Sequence, residues 1–175
     1  IIMIHQIFKV TFIMGTRPEI IKLAPLIIKF KQNQLFNIRI ILTGQHKEMA
    51  SDIMNLFELK ENNNLSLMKE NQSLTHISTE TLKGLKEEFS KSRPDLVIVQ
   101  GDTTSAFIGA LAAFYDGINI GHVEAGLRTN DLMNPYPEEA NRRLISQIAT
   151  LHFAPTAFAA NNLNSFGITK NVSIT

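Results

Sequence analysis

Three carboxylates in this sequence stand where an apolar run gives way to a turn or where a turn opens a helical stretch: Asp102, Glu124 and Glu138. Arg17, Arg128, Arg142 and Arg143 are candidate cations for the same region. Strand ends and helix starts are where open α/β sheets keep their chemistry. Carboxylates there give and take protons and arginines there hold anions, so the combination asks for a functional reading.

Each residue also has a plainer explanation. Asp102 precedes a helical run, and an N-cap aspartate would account for it. Glu138 falls in a first helical turn, where it complements the dipole. Arg17 follows Gly15-Thr16 at a strand-to-helix turn, where it either holds a phosphate with the help of helix amides or is simply solvated. Lys22 is the conspicuous charge on an otherwise apolar helix, and snorkelling would explain it. Glu124 is harder to dismiss, because an unpaired carboxylate at the end of a buried strand costs energy or shifts its pKa. Period 2 puts Ile118, Ile120, His122 and Glu124 on one side of that strand. A lone strand histidine such as His122 is more often a satisfied core residue than a base. His46, in the Gly44-Gln45-His46 turn, either contacts a ligand or caps the next helix, while spacing identifies no partner for His5, His76 or His152.

The elements that must position these residues alternate. Lys9 to Met14 is a β-rich apolar run ending at Gly15; Ile20 to Gln32 is helical in length, with Pro25 set to kink or restart it. A strand at Ile38 to Thr43, a helix at Glu48 to Phe57, a short strand at Leu65 to Met68 and an amphipathic helix from Ser73 to about Lys91 follow. Leu96 to Gln100 (LVIVQ) is a continuous apolar strand of the kind covered on both faces in a parallel sheet. Gly101-Asp102-Thr103-Thr104 turns into a helix reaching Tyr115, whose Ala106, Gly109, Ala110, Ala112 and Ala113 permit close approach to the sheet. A strand at Ile118 to Val123, a loop to Tyr136 and a helix from Pro137 to about Ala149 come next. Leu151 to Ala154, Thr156 to Phe166 and Val172 to Thr175 complete the alternation as strand, helix and strand. The expected fold is one Rossmann-like domain over residues 1–175, an α/β doubly wound parallel sheet with right-handed crossovers. In the common order 3-2-1-4-5 the first and fourth strands flank the switch point, bringing Gly15-Thr16-Arg17 opposite Gly101-Asp102, with Glu124 ending the neighbouring strand.

The 175 residues are 44% hydrophobic, enough for one substantial core, and 17 basic against 16 acidic residues leave a net charge of +1. No global field favours nucleic acid or an acidic membrane. With no cysteine there is no disulfide framework and no thiolate zinc site, which makes the cytoplasm the default. Ile1 to Ile4 lacks a basic flank and a cleavage site and leads into the first strand, and no run reaches the ~20 apolar residues of a membrane span. Neither G-x-G-x-x-G nor G-x-x-x-x-G-K-[ST] occurs, so NAD and ATP sites of the usual kinds are not expected. H-E-x-x-H and G-x-S-x-G are also missing, and neither a metal nor acyl-transfer chemistry is expected.

Taken together, GTRPEIIKLAPL at 15–26, TGQHKEM at 43–49, GDTTS at 101–105, HVEAGLRT at 122–129 and PEEANR at 137–142 resemble the bacterial non-hydrolysing UDP-N-acetylglucosamine 2-epimerases. The resemblance runs in order from about Phe8 to Thr175. It implies the N-terminal half of a two-domain enzyme of the glycosyltransferase-B type, with the second, nucleotide-gripping domain and a further active-site histidine outside this chain. It implies Asp102, Glu124 and Glu138 as catalytic acids and Arg17, Lys22 and Arg142 as substrate-binding cations, with no cofactor. Gln45, His46 and Glu139 match a regulatory region where a second UDP-N-acetylglucosamine activates, and Asn71 stands where some members carry arginine. A homodimer is implied for the full-length family. A hydrolysing epimerase and a non-catalytic nucleotide-sugar-binding domain are the alternatives.

Overall fold

The computed structural model describes residues 7–44, 47–67 and 72–175. Strands β1 (Phe8–Met14), β2 (Phe36–Leu42), β3 (Asn63–Asn64), β4 (Leu96–Gln100), β5 (Asn119–Val123), β6 (Leu151–Ala154) and β7 (Val172–Ile174) form one sheet. Helices α1 (Arg17–Lys31), α2 (Lys47–Leu56), α3 (Leu74–Lys91), α4 (Thr104–Tyr115), α5 (Glu138–Ile148) and α6 (Ala157–Ser165) connect them. The order is β3-β2-β1-β4-β5-β6-β7 and every pairing is parallel. The doubly wound order expected from the alternation is therefore present, and it continues through two further strands.

All five residues of β4 are buried, as its unbroken apolar run requires. Ile98 packs with Ile20, Leu23 and Ile27 of α1 on one face, while Val97 and Val99 pack with Leu85 of α3 and Ala106 and Ala110 of α4 on the other. The small residues of α4 set its distance from the sheet: a Cβ added at Gly109 would lie 3.1 Å from Ile13. Beyond β1, the face that carries α1 opens into an apolar cavity of 630 Å³ lined by Ile98, Val123, Leu151 and Phe153, with Lys22 and Lys29 at its edge.

The structure corrects the sequence reading at three places. Helix α1 starts at Arg17 rather than Ile20 and runs through Pro25 to Lys31, because Thr16 serves as N-cap and Pro18 and Glu19 occupy the first turn. The short third strand is Asn63–Asn64, not Leu65 to Met68. Ser66 takes a φ of 50° and Leu65 turns inward toward Gly84 and the second core cluster, which ends the pairing; Met68 lies outside the described residues. Alternation in β5 stops at Val123, because Glu124 has a φ of 65°. Its carboxylate meets Lys22 on the α1 face, whereas Ile120 faces the other cluster.

Candidate active site

The crevice lies at the carboxyl ends of β1, β4 and β5, where the strand order reverses. On the β1 side, Gly15 and Thr16 turn the chain into α1. The Glu19 side chain returns to this turn: Oε2 accepts from the Gly15 amide at 2.7 Å, the Thr16 amide at 2.6 Å and the Thr16 hydroxyl at 2.9 Å. On the β4 side, Gly101 adopts a φ of 72° and releases the chain toward Asp102. Thr103, not Asp102, caps α4, accepting from the Ala106 amide at 3.0 Å. That frees the Asp102 carboxylate, which pairs with Arg142 on α5, while the Asn141 amide donates to the Asp102 carbonyl at 2.8 Å.

Glu124 holds left-handed backbone geometry at the end of β5, followed by Ala125 and Gly126. Its carboxylate accepts from Lys22 Nζ at 2.8 and 2.7 Å and from the buried Gln100 amide. Glu138 opens α5 half-buried, and its side chain makes no hydrogen bond or ion pair among the described residues. Burial pushes the Asp102 carboxyl above its usual range; Arg142 opposes this, and the nearby charges of Glu138 and Glu124 add to it. Three carboxylates and two cations are thus gathered in one crevice, with proton affinity raised at one of them.

Beneath the crevice, Glu139 is fully buried. It accepts from Arg143 Nε at 2.6 Å and the Thr129 amide at 3.0 Å, and it pairs with Arg142 at 3.5 Å. Arg128 donates to Ser146 at 2.9 Å, and both Arg128 and Arg143 lie over the Phe166 ring. His122 is fully buried; its Nε2 bonds the Gly101 carbonyl at 2.7 Å and its Nδ1 has no partner among the described residues. Desolvation holds it neutral, with its pKa pushed down to about 4. It sits opposite His152 across β5 and β6.

The family model for UDP-N-acetylglucosamine 2-epimerase matches residues 28–175. The chain belongs to the UDP-N-acetylglucosamine 2-epimerase family. It is 46% identical to a putative UDP-N-acetylglucosamine 2-epimerase of Thermotoga maritima over 95% of its own length, and 47% identical to the UDP-N-acetylglucosamine 2-epimerase of Neisseria meningitidis over 91%. It spans 44% and 43% of those relatives, less than half of each. The crystal structure of the Neisseria meningitidis enzyme bound to UDP-GlcNAc superposes with a TM-score of 0.93 at 46% identity, covering 96% of this chain and 46% of that one. A lipopolysaccharide outer core galactosyltransferase, at 14% identity and a TM-score of 0.69, shares the fold alone.

Of the residues that the epimerase family resemblance singles out, Asp102, Glu124, Glu138, Lys22 and Arg142 come together in the crevice. Arg17 begins α1 beside it, exposed, its side chain without a hydrogen bond or ion pair among the described residues. Glu139 lies under the crevice with its carboxylate enclosed by Arg142, Arg143 and Thr129. Gln45 and His46, like Asn71 and His5, lie outside the described residues. Sequence reasoning missed Glu19 and Gln100. Thr16-x-x-Glu19 has the form of a capping box and was a usable signal for the first; nothing in the buried run LVIVQ marks Gln100 as a partner of Glu124. Among the described residues, no group of three histidine or carboxylate side chains is placed to hold a metal, and no helix is long and apolar enough to cross a membrane.

Proposed function

We propose that this chain supplies the carboxylates of an enzyme that interconverts UDP-N-acetylglucosamine and UDP-N-acetylmannosamine. The observation that carries the proposal is the meeting of Asp102, Glu124 and Glu138 with Lys22 and Arg142 at one switch point. Carbon 2 of the sugar has no adjacent carbonyl to acidify its proton. Inversion is easier if the C2–H bond and the C1–O bond to UDP break together, leaving a C1–C2 double bond in 2-acetamidoglucal. Return of a proton to carbon 2 from the other face, with UDP adding back at carbon 1, completes the exchange.

Such a reaction needs a carboxylate to take the proton, an acid to return it, and cations for the departing diphosphate. Asp102 is favoured for carrying a proton by the burial that raises its carboxyl. Arg17, Lys22 and Arg142 are the cations assigned to substrate. Glu139 acts with Gln45 and His46 in the response to a second UDP-N-acetylglucosamine, acting through Arg142 and Arg143 because its own oxygens are enclosed. The rest of the relatives' length, more than half of it, supplies a second domain that closes the cleft, and without it turnover is lost. The working assembly is a cytoplasmic homodimer needing no cofactor.

The test is proton NMR of UDP-N-acetylglucosamine in deuterated water with the full-length protein. The expected product is UDP-N-acetylmannosamine carrying deuterium at carbon 2. Free N-acetylmannosamine and UDP would identify a hydrolysing epimerase instead, and an unchanged spectrum from folded protein with saturable binding would make the chain a binding domain.

A further inference from the structure

Glu19 is 1% exposed, and no cation is among its bonding partners. A capping box asks one thing of such a glutamate, a bond from the N-cap amide, and a solvated side chain can provide it. Glu19 does more: it accepts from two backbone amides and the Thr16 hydroxyl on Oε2, and from the Thr103 hydroxyl on Oε1 at 2.6 Å. Four donors fill the capacity of a carboxylate. The fourth comes from 84 residues away, on the other side of the crevice.

Thr103 is held in the same way from its own side. Its oxygen accepts the Ala106 amide as the cap of α4, so its hydroxyl proton is directed to Glu19. The β1–α1 turn also packs against the first turn of α4 and the end of β2. A Cβ on Gly15 would stand 2.4 Å from Ser105 Oγ and 2.6 Å from Thr43 Oγ1, and those two hydroxyls are themselves 2.9 Å apart. Burying a charge this deeply costs far more than one helix cap returns. The cost is explained if the carboxylate fixes the distance between the loops.

We propose that Glu19 is a positioning residue, a buried brace that fixes the β1–α1 turn at Gly15 and Thr16 against the β4–α4 loop carrying Asp102. This rests on the epimerase reading of the crevice. Asp102 is then pinned on both sides, by Asn141 and Arg142 from α5 and by its neighbour Thr103 through Glu19. Displacing such a group by an ångström costs on the order of a hundredfold in rate.

The decisive variant is Glu19→Gln in the full-length protein. Glutamine keeps the shape and can still accept from the Gly15 and Thr16 amides, but its neutral NH2 group can only donate to the Thr103 oxygen, which replaces the charge-assisted bond across the crevice with a weaker, reversed one. The expected result is a fall in kcat of about tenfold or more with KM for UDP-N-acetylglucosamine within twofold of wild type. Faster amide exchange at residues 103–106 should accompany it, while Thr103→Ser, which keeps the hydroxyl, should retain wild-type kcat. A kcat per folded molecule within twofold of wild type, with only a lowered Tm, would reduce Glu19 to a helix cap and overturn the proposal. If Glu19→Gln does not fold, Thr103→Val removes the same bond from the opposite loop, and exchange at Gly15 and Thr16 is read instead; unchanged protection there overturns the brace. If the wild-type protein does not epimerise, the functional reading fails separately, and the exchange measurements alone decide whether the loops are coupled.

Discussion

Acid should unfold this chain through His122. The ring is fully buried on β5, and desolvation, only partly offset by the Gly101 carbonyl, holds its pKa at about 4. His152, Arg128 and Arg142 push in the same direction as burial. In the unfolded chain the group titrates near its ordinary value of about 6.5. Between those values the unfolded state binds a proton that the folded state refuses, so stability rises with pH across the window. The contribution is fully present above about pH 6.5 and is lost as pH falls toward about 4. The whole gap is worth about 3 kcal/mol, of which about 2 kcal/mol disappears between pH 7 and pH 5. His152, which burial also lowers, acts in the same direction as His122, whereas Glu19 and Asp102 act oppositely, since burial raises both and acid relieves them.

A comparison therefore isolates the histidine better than a single curve. His122→Gln can still donate to the Gly101 carbonyl but carries no titrating ring. Urea unfolding of both proteins at pH 7 and pH 5 is the assay. At a slope of about 2 kcal/mol per molar urea, the wild-type midpoint should drop by roughly 1 M more than that of the variant. Parallel stability curves from pH 7 to pH 5 would refute the claim that a buried neutral histidine underlies the acid sensitivity.

Two further outcomes follow from the same geometry. Gly126→Ala puts a Cβ 2.2 Å from the Ala159 carbonyl of α6 at a φ of 92°, and overpacking with backbone strain should cost about 2–4 kcal/mol, read as a lowered Tm; an unchanged Tm would mean α6 is free to move away. Glu124→Gln in the full-length protein should lower carbon 2 exchange by about 10²–10⁴-fold. It should cost no more than about 1 kcal/mol of stability, because its partner Lys22 is half exposed. Exchange at the wild-type rate would remove Glu124 from the chemistry.

Much of this fold was legible because its signals are local. The continuous run of β4, the small residues of α4 and the alternation of strand and helix each imply their packing without help from distant residues. The crevice was legible in outline, since strand ends were visible and the common doubly wound order, which the structure has, sets them side by side. What could not be read were choices between neighbours and bonds across the chain. Asp102 and Thr103 are both capable caps, and only the structure assigns the cap to Thr103 and leaves Asp102 to Arg142. The partnership of Gln100 with Glu124 spans 24 residues and depends on a backbone turn that no pleat rule anticipates.

That turn at Glu124 sets evolution and engineering against each other at one codon. A side chain in left-handed geometry costs about 1 kcal/mol relative to glycine, so the backbone alone favours glycine or asparagine at this position. A library selected only for resistance to heat is drawn toward those residues and away from the acid.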